Sequence, residues 1–362
     1  MEHDIVIVGG GIAGLSLARA LQARGKHALV LERARGVGGR CATRRIDERP
    51  VDHGLTFLHG RSAEFQAVID GVAGVTRLQP WPLAIQGEGT PCRPEAFGEH
   101  EFRLALAEGV NRLPRALAAG LQVRLEANVV RIEPPCEHSG EQRWRLHLSS
   151  GDSIGARILA LTIPAPSAVA LLQQASSLPR EVREVLPLVG LIRMVPCLTV
   201  MARYGEDISP PAWDVSYPRD SRAVQSLTHD SRKRPAGTPF TLVIQARPAF
   251  SRAHQDDAPD TWAALLLAAA AEVHGPWAAR PASYVAHRWR KARVDPGTEL
   301  TQPVAVRVQA AAGSPALLGF AGDGFHRAGG VEGAYLSGQL LAQRLTTVDS
   351  RGDDRGSDRR RD

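Results

Sequence analysis

Apolar and polar residues alternate in blocks along the chain, and the period of each block predicts its secondary structure. Residues 5–8 form an unbroken apolar run typical of a buried strand, and residues 13–24 repeat apolar positions with the period of a helix. Residues 28–31 form a second apolar run that ends at Glu32. The same patterns predict strands at 121–132, 143–149, 153–161, 287–291 and 316–321, a helix from about 257–260 to Gly275, and a last helix from 330 to about 345.

Three glycines separate the first strand from the first helix. Gly9, Gly11 and Gly14 have the GxGxxG spacing. Glycine lets the chain turn tightly, bring its N–H groups to a pyrophosphate and pack helix on strand, and the helix N-terminus adds about half a positive charge. Glu32 is placed to accept hydrogen bonds from the ribose hydroxyls of an adenosine. This unit predicts a dinucleotide site.

A second glycine pair follows Glu32, where a plain dehydrogenase would continue into an ordinary helix. Gly38 and Gly39 allow the backbone to run beside a pyrophosphate, and Arg40 and Arg44 offer forked donors for its charge. The combination favours FAD over NAD. The alternative for this segment is a basic surface loop.

The last predicted helix has a glycine-lined start of its own. Gly322 and Asp323 follow a strand, and the helix opens with Gly330, Val331, Glu332 and Ala334. If its N-terminus points at the pyrimidine edge of an isoalloxazine, its N–H groups would stabilise negative charge at N1 and C2=O, and Asp323 would accept hydrogen bonds from ribityl hydroxyls. The alternative is a tight turn with Asp323 as a helix cap.

The predicted strand near residue 290 carries the candidate substrate contacts. His287, Trp289 and Lys291 share one face of it. Trp289 is predicted to be a ring-stacking wall with Phe57 opposite or beside it, and a core role is the alternative. His287 is equally consistent with a substrate contact and a structural histidine. No Ser–His–Asp, paired-carboxylate or metal pattern is evident, which suits hydride transfer because that chemistry needs alignment more than acid–base help.

Composition narrows the function further. The chain has 362 residues, 43% hydrophobic and 23% charged, as in ordinary globular proteins with two domains. Its net charge of +6 comes from scattered arginines, with no basic stripe of the kind that binds nucleic acid. The most apolar run, residues 262–271, is too short to span a membrane. The N-terminus lacks the pattern of a signal peptide, and we expect a cytoplasmic location.

The spacing of the four cysteines indicates their chemical state. Cys41, Cys92, Cys136 and Cys197 show neither CxxC spacing nor a metal-binding pattern, so we expect free thiols and no metal. No cysteine follows Cys197, which excludes covalent attachment of a flavin through a late cysteine.

Several motifs resemble the flavin amine oxidase superfamily and, within it, the renalase-like branch. They occur in the same order over nearly the whole chain: GGRCATRR at 38–45, VDHGLTFL at 51–58, TIPAPSAVALL at 162–172, LVIQARPAFSRAH at 242–254, HRWRKARV at 287–294 and GFAGDGFHRAGGVEGAYLSG at 319–338. Three sites, five positions in all, depart from that branch. Renalase-like proteins usually have Ala-Gln-Tyr at 55–57, His at Gln245 and Trp at Gly324.

The resemblance implies an α/β fold in which a Rossmann-like FAD-binding domain is interleaved with an α+β substrate domain. We expect the FAD-binding domain at 1–61, 112–170 and 301–346, the substrate domain at 62–111 and 171–300, and a disordered tail at 347–362. The substrate residues would be Trp289, His287, Phe57 and Gln245. Besides the residues already given, the resemblance implies non-covalent FAD contacts at Ile12, Ala13, Arg33, Ala42, Thr43, His53, Gly54, Val129 and Pro164.

The resemblance further implies an oxidase that converts the 2- and 6-dihydro isomers of NAD(P)H to NAD(P)+ by hydride transfer to flavin, with O2 reduced to H2O2. Its partners would be a dihydronicotinamide dinucleotide and O2. Two alternatives stay open: an amine oxidase or desaturase, for which Lys291 is the one lysine near the expected site, and a flavin-binding protein without catalysis.

Overall fold

The computed structural model describes residues 1–135, 143–308 and 314–350. Two compact units make up the chain. Unit 1 contains Met1–Gly39, Pro114–Met194 and the described residues from Val294 onward, and unit 2 contains Arg40–Leu113 and Val195–Arg293. The two units are therefore interleaved in sequence.

The strands, in chain order, are β1 Glu2–Val8, β2 Ala28–Leu31, β3 Thr43–Ile46, β4 Arg49–Asp52, β5 Leu58–Gly60, β6 Arg77–Leu78, β7 Ile85–Gln86, β8 Phe102–Leu106, β9 Gln122–Arg124, β10 Val129–Glu133, β11 Trp144–Leu148, β12 Ser153–Leu161, β13 Met194–Arg203, β14 Val215–Ser216, β15 Val224–His229, β16 Thr241–Ala246, β17 Ser283–Val294, β18 Val304–Val308 and β19 Ala316–Phe320.

The helices are α1 Ile12–Gln22, α2 Ala63–Asp70, α3 Arg112–Ala118, α4 Ala165–Leu172, α5 Arg180–Gly190, α6 Pro248–His254, α7 Pro259–His274 and α8 Gly330–Ser350, with short 3₁₀ turns at Pro94–Phe97, Asp230–Lys233, Pro276–Ala279 and Asp323–Phe325. No helix in the described ranges combines the length and the apolar character needed to cross a membrane.

Unit 1 is built on an eight-stranded sheet with the order β10-β11-β12-β1-β2-β9, extended by β19 and β18. β1 is parallel to both of its neighbours, with Val6 opposite Leu29 and Leu159. One edge of β12 pairs with β11 over its first residues and with β19 over its last. A buried central strand explains why residues 5–8 are apolar without interruption.

Helices α1 and α8 pack closely because small residues lie where they meet. A Cβ on Gly338 would lie 2.4 Å from the carbonyl oxygen of Ala13. The Ser16 hydroxyl donates to the carbonyl oxygen of Tyr335 at 2.7 Å, and the Gln339 amide donates to that hydroxyl at 3.1 Å. The two helices that open with glycines are thus fixed against each other within unit 1.

The last helix is longer than the sequence predicts. α8 ends at Ser350, beyond the predicted end at about residue 345 and inside the predicted disordered tail that begins at residue 347. Asp349 binds Arg157 at 2.7 Å and Lys26 at 3.1 Å, and these ion pairs explain why the polar end stays helical. The rest of the predicted tail, 351–362, lies outside the described residues.

The unit boundaries differ from the predicted domain boundaries in two main segments. Residues 40–61 lie in unit 2, where β3 and β4 pair and Asp52 binds Lys233. Residues 171–194 lie in unit 1, because Val182, Leu186 and Val189 of α5 enter its core. Composition alone does not show to which unit either segment belongs, because the assignment depends on tertiary contacts.

Unit 2 is built on a six-stranded sheet with the order β17-β13-β16-β15-β14-β7. Helix α7 covers it and buries Trp262 and Leu266. A two-stranded β3-β4 hairpin and a three-stranded β5-β8-β6 sheet complete the unit. The predicted strand with His287, Trp289 and Lys291 is β17, one of the two edge strands of this sheet.

Four buried charges form a network inside unit 2, and we call Asp52, Asp230, Lys233 and Arg234 the buried ion network. The Lys233 ammonium lies 2.8 Å from a carboxylate oxygen of Asp52 and 2.8 Å from one of Asp230. Arg234 reaches the same two carboxylates at 2.8 and 2.9 Å. Two negative and two positive groups therefore balance in a buried site, and the positive neighbours hold the pKa of Asp52 below its usual value against the opposing effect of burial.

Lys233→Met should lower the free energy of unfolding by about 3–5 kcal/mol, because it leaves the buried carboxylates with unbalanced charge. Urea titration followed by tryptophan fluorescence measures this, since Trp81 lies under the Lys233 ammonium at 5.2 Å. The control is Lys26→Met, which removes a partly exposed ion pair with Asp349 and should cost at most about 1 kcal/mol. Equal losses in both variants would contradict the role of the network.

Candidate functional site

The glycine turn of unit 1 leaves open space at the N-terminus of α1. Gly9 has a φ of +114°, and a Cβ on Gly14 would lie 2.1 Å from the carbonyl oxygen of Gly9. A Cβ on Gly11 would meet nothing within 4 Å. Gly11 caps α1 without a side-chain hydrogen bond, and the first turn holds no acidic residue. Gly9 and Gly14 close the turn, while Gly11 leaves room for an anion at the helix N-terminus.

Glu32 has a second role that sequence reasoning missed. It is buried, and its two carboxylate oxygens accept hydrogen bonds from the backbone N–H groups of Gly10 and Ala34, each at 2.8 Å. A Cβ on Gly10 would lie 2.9 Å from the Cβ of Glu32. Glu32 therefore holds the shape of the turn, and each oxygen keeps a lone pair for a ligand hydroxyl.

The second glycine pair runs beside the first turn. Gly38 donates its N–H to the carbonyl oxygen of Gly10 at 2.8 Å, and Gly11 and Gly38 form a parallel bridge. Gly39 has a φ of +56°. Two glycine segments thus lie side by side where the sequence predicts the pyrophosphate.

The start of α8 is fixed by a serine. Ser337 lies within the second turn of the helix, and its hydroxyl accepts a hydrogen bond from the N–H of Gly322 at 3.0 Å and lies 2.9 Å from the Gly322 carbonyl oxygen. Asp323, which follows Gly322, and Glu332, in the first turn of α8, are both buried. Gly330 has a φ of +55°, which favours glycine at the point where the helix begins.

The other predicted residues of unit 1 lie at element ends. Ile12 and Ala13 form the buried first turn of α1, Arg33 is exposed just after β2, Val129 begins β10, and Pro164 precedes α4. Val331 and Ala334 are buried in the first turns of α8. These positions stay predicted FAD contacts.

This arrangement fits the dinucleotide half of FAD. An uncapped helix N-terminus, open space at Gly11 and an acid with spare acceptor capacity are what a pyrophosphate and an adenosine ribose require. In unit 1 the residues that would hold FAD are Gly9, Gly11, Gly14, Glu32, Gly39, Gly322, Asp323 and the start of α8.

In unit 2, side chains hold the backbone of the loop at residues 52–56. The Trp289 indole donates to the carbonyl oxygen of His53 at 3.0 Å, and the Gln245 amide donates to that of Gly54 at 2.9 Å. The Lys233 ammonium donates to the carbonyl oxygen of Thr56 at 2.8 Å. The donors come from three different elements, so the loop has one well-defined conformation.

Three rings meet beside this loop, and we call His53, His287 and Trp289 the His–Trp cluster. The ring centroids of His53 and His287 lie 4.8 Å apart, and those of His287 and Trp289 lie 4.3 Å apart. Burial lowers the pKa of His53 to about 4, with added effects from His287 and Arg44, and burial and Arg44 also lower the pKa of His287. Both imidazoles are therefore neutral at neutral pH.

Two of the predicted substrate residues have other neighbours. Phe57 packs with Trp81 and Phe97 in a separate buried cluster, at centroid distances of 5.9 and 6.1 Å. The Gln245 side chain holds the Gly54 carbonyl oxygen with its amide nitrogen and lies 3.5 Å from the Ser226 hydroxyl with its amide oxygen. Of the four predicted substrate residues, the structure brings together His287 and Trp289.

The predicted cofactor residues at 40–54 lie in unit 2. Arg40 donates to the carbonyl oxygen of Ala292 at 3.3 Å. Ala42 accepts a hydrogen bond from the N–H of His53 at 3.3 Å, and the Thr43 hydroxyl donates to Asp52 at 2.6 Å. Arg44 is exposed. Gly54 needs its lack of a side chain, since a Cβ would lie 2.2 Å from the Arg40 carbonyl oxygen.

Gly324 departs from the renalase-like pattern for a packing reason. A Cβ at this position would lie 2.7 Å from Cγ2 of Ile192 and 3.3 Å from Cγ2 of Val294. Unit 1 thus has no room for a tryptophan at residue 324. Sequence reasoning missed the buried ion network, although the rarity of lysine and the close spacing of Asp230, Lys233 and Arg234 offered a signal.

Three of the four cysteines lie in the part of the chain that the structure describes. Cys41, Cys92 and Cys197 are free thiols, and Cys136 lies outside the described residues. Burial raises the pKa of Cys197 to about 11, which keeps that thiol protonated. Within the described ranges no group of three or more His, Cys, Asp or Glu side chains is placed to bind a metal ion.

Comparison with known families agrees with this geometry. Residues 7–72 match the model of an NAD(P)-binding Rossmann-like domain, and residues 74–346 match that of the flavin containing amine oxidoreductases. The chain belongs to the flavin-containing amine oxidoreductase family. As a member of this family it has FAD as its cofactor, which confirms the cofactor predicted from the glycine motifs.

Individual relatives of this flavin-containing amine oxidoreductase match over short stretches. Putrescine oxidase of Kocuria rosea is 37% identical over 95 residues, which is 26% of this chain and 19% of the relative. Hydroxyneurosporene desaturase of Rubrivivax gelatinosus is 36% identical over 115 residues, 32% of this chain and 21% of the relative. The matches span 12 to 32% of the length of the curated relatives.

A solved structure supports the fold of this flavin-containing amine oxidoreductase over its length. Cyclohexylamine oxidase from Brevibacterium oxydans superposes with a TM-score of 0.67 at 16% identity, covering 95% of this chain and 99% of that one. The predicted two-domain α/β flavoprotein fold is confirmed. The renalase-like branch and the site residues stay predictions.

Glu32→Ala should raise the dissociation constant of FAD about 10- to 100-fold, or by about 1–3 kcal/mol, because it removes the ribose acceptor and the support of the Gly10 N–H. Quenching of FAD fluorescence on reconstitution of the apoprotein measures this. The control is Glu184→Ala in the same unit, an exposed partner of Arg180 that should leave binding unchanged. Unaltered FAD affinity in Glu32→Ala would make Glu32 a structural acid only.

Proposed function

We propose that this chain oxidises the 2- and 6-dihydro isomers of NAD(P)H to NAD(P)+ and that O2 is reduced to H2O2. The observation that carries the proposal is the His–Trp cluster. Two neutral imidazoles and an indole lie together there and form an aromatic surface without an acidic side chain of their own. The renalase-like motifs in the sequence support the same substrate. A cytoplasmic location is part of this proposal.

The reaction balances as one dihydronicotinamide, one O2 and one proton giving NAD(P)+ and H2O2. FAD, when bound, supplies the two-electron acceptor and the route of those electrons to O2. The residues of the chain have the remaining task, which is to hold the dihydropyridine ring in one orientation. Alignment of the reacting atoms is the main requirement because the ring becomes aromatic as it loses its hydride.

The His–Trp cluster is suited to that task because it is rigid. Trp289 stacks on the substrate ring, and the hydrogen bond from its indole to the His53 carbonyl oxygen prevents the indole from rotating. His287 borders the same surface and stays neutral, so it contacts the ring without donating a proton to it. Gln245 acts as a positioning residue through Gly54. Phe57 packs in the separate cluster around Trp81, so a contact between Phe57 and the substrate stays a prediction from the sequence.

Oxidation or desaturation of an amine or another small molecule is the second candidate. The similarity to a putrescine oxidase and to a hydroxyneurosporene desaturase favours it. Lys233 is committed to the buried ion network, which leaves Lys291 on β17 as the candidate lysine for such chemistry. A flavin-binding protein without catalysis is the third candidate.

Mixed anaerobically with the enzyme, the 2- or 6-dihydro isomer of NADH should bleach the flavin at least ~10-fold faster than ordinary 4-dihydro NADH, a difference of about 1.4 kcal/mol in barrier. An anchored nucleotide presents the hydride of the 4-isomer at the wrong ring position. Trp289→Ala should slow this bleaching while FAD stays bound. The control is Tyr284→Ala, an exposed residue of the same strand, which should keep the wild-type rate.

Three results would count against the proposal. Equal rates for all isomers would remove the ring-position argument. Rapid bleaching by putrescine or benzylamine would favour the second candidate. Absence of bleaching by any dihydropyridine or amine would leave a flavin-binding protein without catalysis.

A further inference from the structure

Four aromatic rings pack together in unit 2, and we call Phe57, Trp81, Phe97 and Tyr217 the second aromatic cluster. The ring centroid of Phe57 lies 5.9 Å from that of Trp81 and 6.1 Å from that of Phe97, and the centroids of Phe97 and Tyr217 lie 6.0 Å apart. Trp81 and Tyr217 are only 4% and 6% exposed, whereas Phe97 is half-buried. The cluster therefore has a buried interior and an edge at Phe97 that solvent reaches.

The cluster contains hydrogen-bond donors without acceptors. The Trp81 indole nitrogen is buried and has no hydrogen-bond partner among the described residues. The Tyr217 hydroxyl also donates to none of the described residues, and burial raises its pKa, so the phenol keeps its proton. A buried donor left unpaired costs about 1–3 kcal/mol. A ligand with acceptor oxygens would remove that cost.

Arg103 adds an unpaired positive charge to the same cluster. Its guanidinium carbon lies 5.0 Å from the centroid of the Phe97 ring, and its carbonyl oxygen accepts the Trp81 N–H at 3.2 Å. The Arg103 Nε is buried without a hydrogen-bond partner, and no carboxylate of the described residues forms an ion pair with this guanidinium. Glu101, two residues earlier, binds Arg61 at 2.6 Å instead. The charge of Arg103 is thus partly removed from water and has no anion to balance it.

These features together define the chemistry of an occupant. A guanidinium offers a planar fork of N–H groups that a carboxylate fits with both oxygens. The rings beside it favour an aromatic body. A cation would be repelled by Arg103, and a neutral ring would leave the guanidinium unpaired.

We propose that Arg103, Phe97 and Tyr217 form a binding site for an aromatic carboxylate. Arg103 pairs with the carboxylate, Phe97 packs against the ring, and the Tyr217 hydroxyl donates to an acceptor oxygen. The site uses no residue of the His–Trp cluster. The inference therefore does not rest on the oxidation of dihydronicotinamides.

Three probes separate the charge from the ring: benzoate has both, acetate has the charge alone, and benzyl alcohol has the ring alone. Titrated calorimetrically into the FAD-loaded protein, benzoate should bind at least ~10-fold more tightly than either of the others. The NMR signal of the Arg103 Nε–H group, identified by its absence in Arg103→Lys, should shift when benzoate is added. Neither readout depends on turnover.

Arg103→Gln should weaken benzoate binding at least ~10-fold because it removes the charge, and Tyr217→Phe should weaken it at least ~3-fold because it removes one hydrogen bond and keeps the ring. The matched control is Arg45→Gln, which changes an exposed arginine of unit 2 whose guanidinium binds the carbonyl oxygen of Glu48 at 2.9 Å. It should leave benzoate binding unchanged. Trp289→Ala should also leave it unchanged, which separates this site from the His–Trp cluster.

The inference is overturned if benzoate does not bind, if acetate or benzyl alcohol binds as tightly, if the Arg103 signal does not move, if Arg103→Gln keeps the wild-type affinity, or if Trp289→Ala abolishes binding. Circular dichroism and the FAD content of each variant separate loss of the site from loss of the fold. Should Arg103→Gln not fold, Arg103→Lys takes its place: it keeps the charge, loses the fork and should weaken benzoate binding at least ~3-fold. Flavin bleaching by 2- or 6-dihydro NADH is measured separately, so failure of the proposed function leaves this test intact.

Discussion

The candidate site of unit 2 depends on the buried ion network. Charges in a buried interior are tolerated only when each has an opposite partner at close range, and here the two carboxylates of Asp52 and Asp230 meet the cations of Lys233 and Arg234. The same lysine holds the Thr56 carbonyl oxygen. The network thereby fixes both ends of the loop at 52–56, and the loop in turn carries one imidazole of the His–Trp cluster and the carbonyl oxygen that orients its indole.

Unit 1 reaches rigidity by a different route. Its two glycine-opened helices touch where Gly338 allows a close approach, and Glu32 and Ser337 bind the backbone of the turns that precede or join them. In unit 1, hydrogen bonds from side chains to backbone groups hold the turns, whereas in unit 2 buried ion pairs hold the loop at residues 52–56. The outcome is a helix N-terminus with open space and no acid in its first turn, which is a fixed arrangement for an anionic cofactor.

The sequence alone predicted the parts of the fold that local chemistry determines. The spacing of Gly9, Gly11 and Gly14, the apolar run of β1 and the alternation along β17 each follow from short-range periodicity. The buried ion network could not be predicted, because Asp52 and Lys233 are far apart in sequence and their pairing depends on tertiary structure. The neighbours of Phe57 also depend on tertiary structure. The sequence predicts it beside Trp289, whereas in the structure its ring packs against Trp81 in a separate buried cluster.

The cofactor that the purified protein releases is the most direct test that this chain is an FAD flavoprotein. The protein should show flavin absorbance bands, and heat denaturation should release intact FAD in an amount equimolar with the chain. Gly11→Trp should abolish retention by filling the open space at the N-terminus of α1. A colourless protein that cannot be reconstituted with FAD, or one that releases a nicotinamide dinucleotide in its place, would show that FAD is not its cofactor.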